Sequence, residues 1–191
     1  MQTAINSGAD AIILQGVDQA LVSGGLKMAK AKKLPVVSLF QYNKGGEFGV
    51  DTDVHPDGDM IGKLLADSAI VNNNGAVHSL FLNDAEFSLP VTVLAAVKKE
   101  LDACKECTIT YGDPVNFTAN IMGTTLPDRV VGALRRDPEI NSAFIGYDPP
   151  VTFIVPALDA AGFKGKLTMY SQLGNSAPLS FVRDGNILVS D

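Results

Sequence analysis

The chain has no tryptophan, two histidines and two cysteines, and each scarcity closes off a chemistry. A structural zinc site needs four ligands of the Cys, His or carboxylate kind. His55 and His78 have no ligand-like spacing with Cys104 and Cys107. No G-x-S-x-G nucleophile elbow is present, and no Ser or Cys is placed to form a triad with His78. His78 lies inside a core strand pattern and reads as a hydrogen-bonded structural histidine. Phosphate-binding loops of the G-x-x-x-x-G-K-S/T and G-x-G-x-x-G kinds are missing. No cofactor is expected, and no enzymatic activity. No apolar run approaches the roughly 20 residues of a membrane-spanning helix. The beginning of the sequence also lacks the charged start, apolar core and small-residue cleavage site of a secretory signal. Lysine and arginine form no dominant block and the net charge is -6, so a nucleic-acid partner is not expected.

What is present is a chain of 191 residues, 46% hydrophobic and 19% charged, enough apolar surface for a globular core. Unbroken apolar runs alternate with helical segments, the pattern of strands buried on both faces of a parallel sheet. A helix ends near Ser7, strands cover 11–15 and 35–39, and a helix covers 19–32. A glycine-rich loop, Asn43–Gly49, leads to a short strand around Val50. Beyond it the spacing predicts helices over 56–72, 90–102, 124–136, 150–161 and 176–183. Strands fall at 76–82, 108–111, 142–146, 166–170 and 187–190. Pro56 suits the first turn of its helix, Asn72–Gly75 closes that helix, and Gly162 and Gly185 end the last two. Strand and helix in alternation indicate βαβ units.

Open α/β sheets bind ligands beyond the carboxyl ends of their strands. That rule selects Phe40, Gln41 and Tyr42, then Asn83, Asp84, Glu86 and Phe87, then Asp113, Asn116 and Phe117, then Tyr147 and Asp148, then Ser171 and Gln172. Aromatic faces beside amides and carboxylates suit a sugar or another small ring-shaped solute. Asp84 and Glu86 read by default as a solvated loop, and Tyr147-Asp148 reads equally well as a strand end packed against Pro149-Pro150. The pair Cys104-Lys105-Glu106-Cys107 follows a helix and precedes a strand, the reverse of a thioredoxin-like redox site. It is a structural disulfide in an oxidising compartment or two reduced thiols.

The stretches AINSGADAIIL (Ala4–Leu14) and AKKLPVVS (Ala31–Ser38) resemble the type I periplasmic solute-binding proteins of sugar-type ABC importers. RRDPEINSAFIGYD (Arg135–Asp148), ALDAAGFKGKLTM (Ala157–Met169) and FVRDGN (Phe181–Asn186) fit the same family, in order. The resemblance implies two flavodoxin-like parallel-sheet lobes with a small-molecule solute bound between them. It implies an ABC permease as partner and a periplasmic or extracellular, membrane-associated location. In that family the opening segment lies inside the first lobe. Residues 1–53 are therefore expected to form an incomplete N-terminal lobe and 54–191 a nearly complete C-terminal lobe. An incomplete lobe would expose a strand edge, favour a dimer and weaken solute binding.

Family members carry a similar cysteine pair, which implies a Cys104–Cys107 disulfide. The implied ligand-binding positions are Phe40, Gln41, Phe87, Asn116, Phe117, Tyr147, Asp148 and Gln172. Ribose-type members have an Asp-Arg pair where this chain has Phe40-Gln41, and an Asp at Gln172 or Leu173. Asp148, with Asn116 or Phe117, keeps the family pattern. The rivals are the effector-binding core of a lac-repressor-like regulator and a small α/β enzyme.

Overall fold

The computed structural model describes residues 1–41, 49–185 and 187–190. The expected glycine-rich loop therefore lies, apart from Gly49, outside the described residues. The chain divides into two units: Met1–Asp57 with Glu86–Leu89, and Gly58–Ala85 with Pro90–Asp191.

In the first unit, α1 (Gln2–Asn6) precedes β1 (Ile12–Gln15). A 3-10 turn, Gln19–Val22, then leads into α2 (Ser23–Ala31). Next come β2 (Val36–Leu39) and β3 (Thr52–Val54). The three strands are parallel in the order β1-β2-β3. The strand expected around Val50 lies slightly later, because the Asp51 carboxylate turns back to accept Val36 N at 2.7 Å and pairing with β2 begins only at Thr52. Ile12, Leu14 and Val36 point to one face, where Ile5, Leu26 and Ala29 cover them. Ile13 on the other face is 68% exposed.

The second unit runs α3 (Gly58–Asn72), β4 (Ala76–Asp84), α4 (Ser88–Ala103), β5 (Thr108–Tyr111) and β6 (Val115–Phe117). The first residues of α4 cluster with the first unit. Then follow α5 (Leu126–Arg136), β7 (Ser142–Ile145), α6 (Val151–Ala160), β8 (Thr168–Ser171), α7 (Ser176–Arg183) and β9 (Ile187–Ser190). Among the described residues six strands form a parallel sheet, ordered β5-β4-β7-β8-β9, with β6 also on β4.

Two expectations are corrected here. Pro56 stands two residues before α3 rather than in its first turn, since Pro56 restricts His55 to extended backbone and the helix starts only at Gly58. Asn116 and Phe117 belong to strand β6 rather than to a loop after β5. The long β4 pairs first with β5 and then, from Leu82, with β6.

The sheet is buried on both faces, as a parallel sheet requires. All four residues of β7 are buried. One face carries a ladder of rings across four strands: Tyr111–Phe81 at 5.9 Å, Phe81–Phe144 at 5.6 Å and Phe144–Tyr170 at 5.0 Å. α5 and α6 present Val130, Leu134, Ile154 and Leu158 at helical spacing to the core. α3 and α4 approach closely at Gly62, where a Cβ would stand 2.5 Å from both the Ala96 methyl and the Val93 carbonyl oxygen. Gly162, at φ +81°, ends α6 in the left-handed conformation that favours glycine. Cys104 and Cys107 are joined by a disulfide just past α4. His78 Nε2 lies 3.1 Å from Asp137 Oδ2.

Candidate functional site at the strand ends

In the second unit the carboxyl ends of β6, β4, β7, β8 and β9 stand side by side. Their order puts Asn116 and Phe117, then Asn83 and Asp84, then Tyr147 and Asp148, then Ser171 and Gln172, then Ser190 along one rim. The rim is wired together. The Tyr147 hydroxyl donates to the Asp84 carboxylate, and both residues are buried. Phe117 stacks on Tyr147, ring centroids 6.4 Å apart. The Asn83 amide donates to Asn116 Oδ1 at 3.1 Å on the exposed side, and Arg129 holds the Asn116 carbonyl at 3.0 Å. Gln172 Nε2 donates to the Gly146 carbonyl at 2.6 Å. Gly146 admits no side chain: a Cβ would stand 2.5 Å from Pro90.

Asp148, expected as a solute-facing acceptor, accepts hydrogen bonds from the chain itself. It is fully buried. Ser171 Oγ donates to it at 2.5 Å, Ser190 Oγ at 2.8 Å and the Asn175 backbone N–H at 2.8 Å. These donors come from the ends of β8 and β9 and from the residue just before α7. These hydrogen bonds tie three elements together. Asp84 is likewise buried in the strand end, not solvated in a loop, because β4 runs two residues further than its apolar run suggests. The sequence singled out Asp84 by position but missed its burial. Ser190 and Asn175 it did not single out. Each lies 27 or more residues from Asp148 in the chain, beyond the reach of any local pattern.

A cavity of about 560 Å³ opens beside this rim, between α4 and the β4–β5–β6 edge. Phe81, Leu94, Tyr111 and Pro114 form its apolar walls, and Asn83 and Asn116 supply its amides.

In the first unit, Phe40 directly follows β2 with φ +61°, left-handed for a non-glycine residue, and its side chain is exposed. Its N–H donates to the Val54 carbonyl at 3.0 Å. Backbone strain of this kind gathers at functional sites. Leu173, with φ +114°, is its counterpart after β8 in the second unit. Gln41 is buried, and its Oε1 accepts from Ser88 N at 3.2 Å and Ser88 Oγ at 2.6 Å. Phe87, in the same unit, is half-buried. Gln19, which opens the 3-10 turn beyond β1, is also buried and is a residue the sequence did not flag. Among the described residues no group of three or more His, Cys, Asp or Glu side chains could hold a metal ion. None of the described helices is long and apolar enough to cross a membrane.

Parallel α/β sheets with polar and aromatic side chains gathered at their strand ends define a class of small-molecule binding folds. The chain belongs to the periplasmic binding protein domain family, whose signature matches residues 1–190. Its structure is similar to an ABC transporter solute-binding protein from Agrobacterium vitis with bound D-fucose. The TM-score is 0.82 at 21% identity, covering 98% of this chain and 64% of that one. It is also similar to an ABC sugar transporter subunit from Rhodobacter sphaeroides, with TM-score 0.80 at 19% identity, covering 97% and 65%. A putative LacI transcriptional regulator from Bacteroides fragilis shares the fold at 10% identity, with TM-score 0.78, covering 97% and 64%. The chain thus spans somewhat less than two thirds of the length of these solved structures. No curated protein matches it. The fold is the type I periplasmic-binding-protein architecture that the sequence resemblance implied.

Proposed function

We propose that this chain is the solute-binding part of an ABC importer and takes a sugar or sugar-like molecule at its strand ends. The observation that carries the reading is the family match over residues 1–190, on a sheet whose strand ends bring Asn83, Asn116, Phe117, Tyr147 and Gln172 to one rim. Stacked rings next to amides provide an apolar plate and hydrogen-bonding groups, which a pyranose needs. Proteins of this fold whose ligands are named include one with bound D-fucose and a glucose-galactose binding protein from Geobacillus stearothermophilus. The reading assigns the chain no covalent chemistry. Its partners are a small solute and a membrane permease, and its location is periplasmic or extracellular at the membrane. The lobe assignment, an incomplete N-terminal lobe over 1–53 and a C-terminal lobe over 54–191, belongs to the same reading.

A LacI-type effector-binding core is the second reading, supported by the fold of the Bacteroides fragilis regulator. The Cys104–Cys107 disulfide favours transport, since disulfides persist in oxidising compartments and are rare in the cytosol. Saturation-transfer NMR with millimolar D-fucose, D-glucose and D-galactose tests the solute reading, because it registers weak binding. Transfer to at least one sugar is expected. Absence of transfer to all three, with a folded protein, overturns it.

A further inference from the structure

The first unit holds two buried side-chain amides that, among the described residues, keep hydrogen-bonding groups without a partner. Gln19 is 1% exposed, and among the described residues neither its Nε2 nor its Oε1 has a hydrogen-bond partner. Gln41 is equally buried; Ser88 occupies its Oε1, while its Nε2 has no partner among the described residues. Buried amides without partners destabilise a protein, and an apolar side chain of the same shape would serve the fold better. The great majority of buried polar groups are satisfied, so two such residues in one small unit call for a cause.

Their placement supplies one. β1 and β2 are adjacent parallel strands, with Gln15 paired to Leu39. Gln41 lies two residues past the end of β2 and Gln19 four past the end of β1. Both therefore stand beyond the carboxyl ends of neighbouring strands, where open α/β sheets receive ligands. The 3-10 turn holds the Gln19 backbone in place, because Asp18 Oδ1 accepts from Ala20 N at 2.8 Å.

We propose that Gln19 and Gln41 are an uncharged solute-contacting pair that accepts a neutral polyhydroxyl molecule and rejects its carboxylate counterpart. This rests on the solute-binding reading above and narrows it. The free groups are the two amide NH₂ donors and the one Gln19 carbonyl oxygen. Hydroxyl groups match that set, since each accepts from an amide N–H and can donate to the carbonyl. A carboxylate would lose its hydration beside two neutral amides and gain no opposite charge from either of them, and a buried charge that is not compensated is expensive.

The test uses this chain with D-glucose and D-galactose against D-glucuronate and D-galacturonate, affinities read by saturation-transfer titration. The neutral sugars are expected to bind and the uronates to bind about tenfold or more weakly. In parallel, Gln19→Met keeps the shape and removes the amide. It is expected to raise the melting temperature by roughly 2–4 °C, as relief of an unsatisfied group should in a protein this size. The same change should weaken sugar binding about tenfold. Gln41 is less suited to substitution because it would also lose Ser88. Uronates binding as well as the neutral sugars overturns the proposal. So does a Gln19→Met protein with raised melting temperature and unchanged affinity, which would mark Gln19 as a structural orphan. If Gln19→Met fails to fold, the sugar-against-uronate comparison on the unaltered chain decides alone. If neither sugars nor uronates bind, it is the solute-binding reading that falls.

Discussion

The two sheets of this chain obey the same strand-and-helix grammar and reach different degrees of burial. In the second unit, helices cover both faces of a six-stranded parallel sheet and β7 is buried along its whole length. In the first, three parallel strands bury one face against α1 and α2. The other face leaves Ile13 68% and Val54 54% exposed. Parallel sheets occur almost entirely with both faces covered. Apolar side chains therefore contribute very differently to stability in the two units, although the sequence of β1 is as apolar as that of β7.

Alanine at matched positions would break or sharpen that contrast most strongly. Leu80→Ala, at a fully buried position of β4, is expected to cost about 2–5 kcal/mol, the range for buried leucine truncations. Ile13→Ala is expected to stay within roughly 0.5 kcal/mol, as for exposed sites. Urea unfolding followed by hydrogen exchange in each unit measures both. An Ile13→Ala loss near that of Leu80→Ala would mean that the open face is covered in solution, and the contrast would disappear.

Asp148 tests whether the rim of the second unit is held by polar wiring as well as by apolar burial. Asp148→Ala leaves the Ser171 and Ser190 hydroxyls and the Asn175 N–H without their acceptor. The expected loss is roughly 2–3 kcal/mol, with exchange protection falling first in β8, β9 and α7. If only solute affinity changed and protection in those elements held, Asp148 would be a solute contact and not the tie described above.

The open face and edge of β1 make a third, smaller prediction. Exposed strand edges pair with other chains, so self-association that rises with concentration is expected by light scattering. Ile13→Lys should reduce it, because a charge on an edge strand opposes such pairing. A monodisperse monomer at high concentration, before any substitution, would contradict this expectation.

How much of this was legible beforehand depended on whether the determinant was local. β5 was readable to the residue, since Thr108–Tyr111 is set off by the cysteine turn before it and Gly112 after it. The end of α3 was readable because Asn74 and Gly75 both adopt positive φ, as helix-terminating residues do. β6 was not, because three residues after Pro114 are too few to show a period of two. The positions of Gln41 and Tyr147 just past their strands followed from the strand pattern alone. Gln19 escaped it because it falls inside the segment read as helix 19–32. The intrachain donors of Asp148 were not legible, since they arrive from elements that only the sheet order brings alongside it.

The smallest expected effect lies at the exposed edge of the second unit, where polar contacts meet solvent. Tyr111 donates to Asp102 Oδ1 at 2.6 Å, and Lys98 reaches Asp102 Oδ2 at 2.7 Å while standing 4.3 Å over the Tyr111 ring. Lys98 first, then Tyr111, holds the Asp102 carboxyl below its ordinary value of 3.8. Its contribution is therefore present above pH 3.8 and lost as pH falls through the lower folded value. Tyr111 is shifted the other way. Burial first, then Asp102, raises its phenol above the ordinary 10.0, so its contribution is complete below pH 10.0 and declines as pH rises beyond it. Lys98 and Asp102 are half exposed, so solvent screens the cluster. Tyr111→Phe should then lower stability by about 0.5 kcal/mol at neutral pH. It should also flatten the decline of stability above pH 10, measured by urea titrations from pH 7 to 11. An unaltered alkaline slope in Tyr111→Phe would show that the edge ring titrates alike in the folded and unfolded chain. The cluster would then be a surface contact that contributes nothing to holding α4 against the sheet.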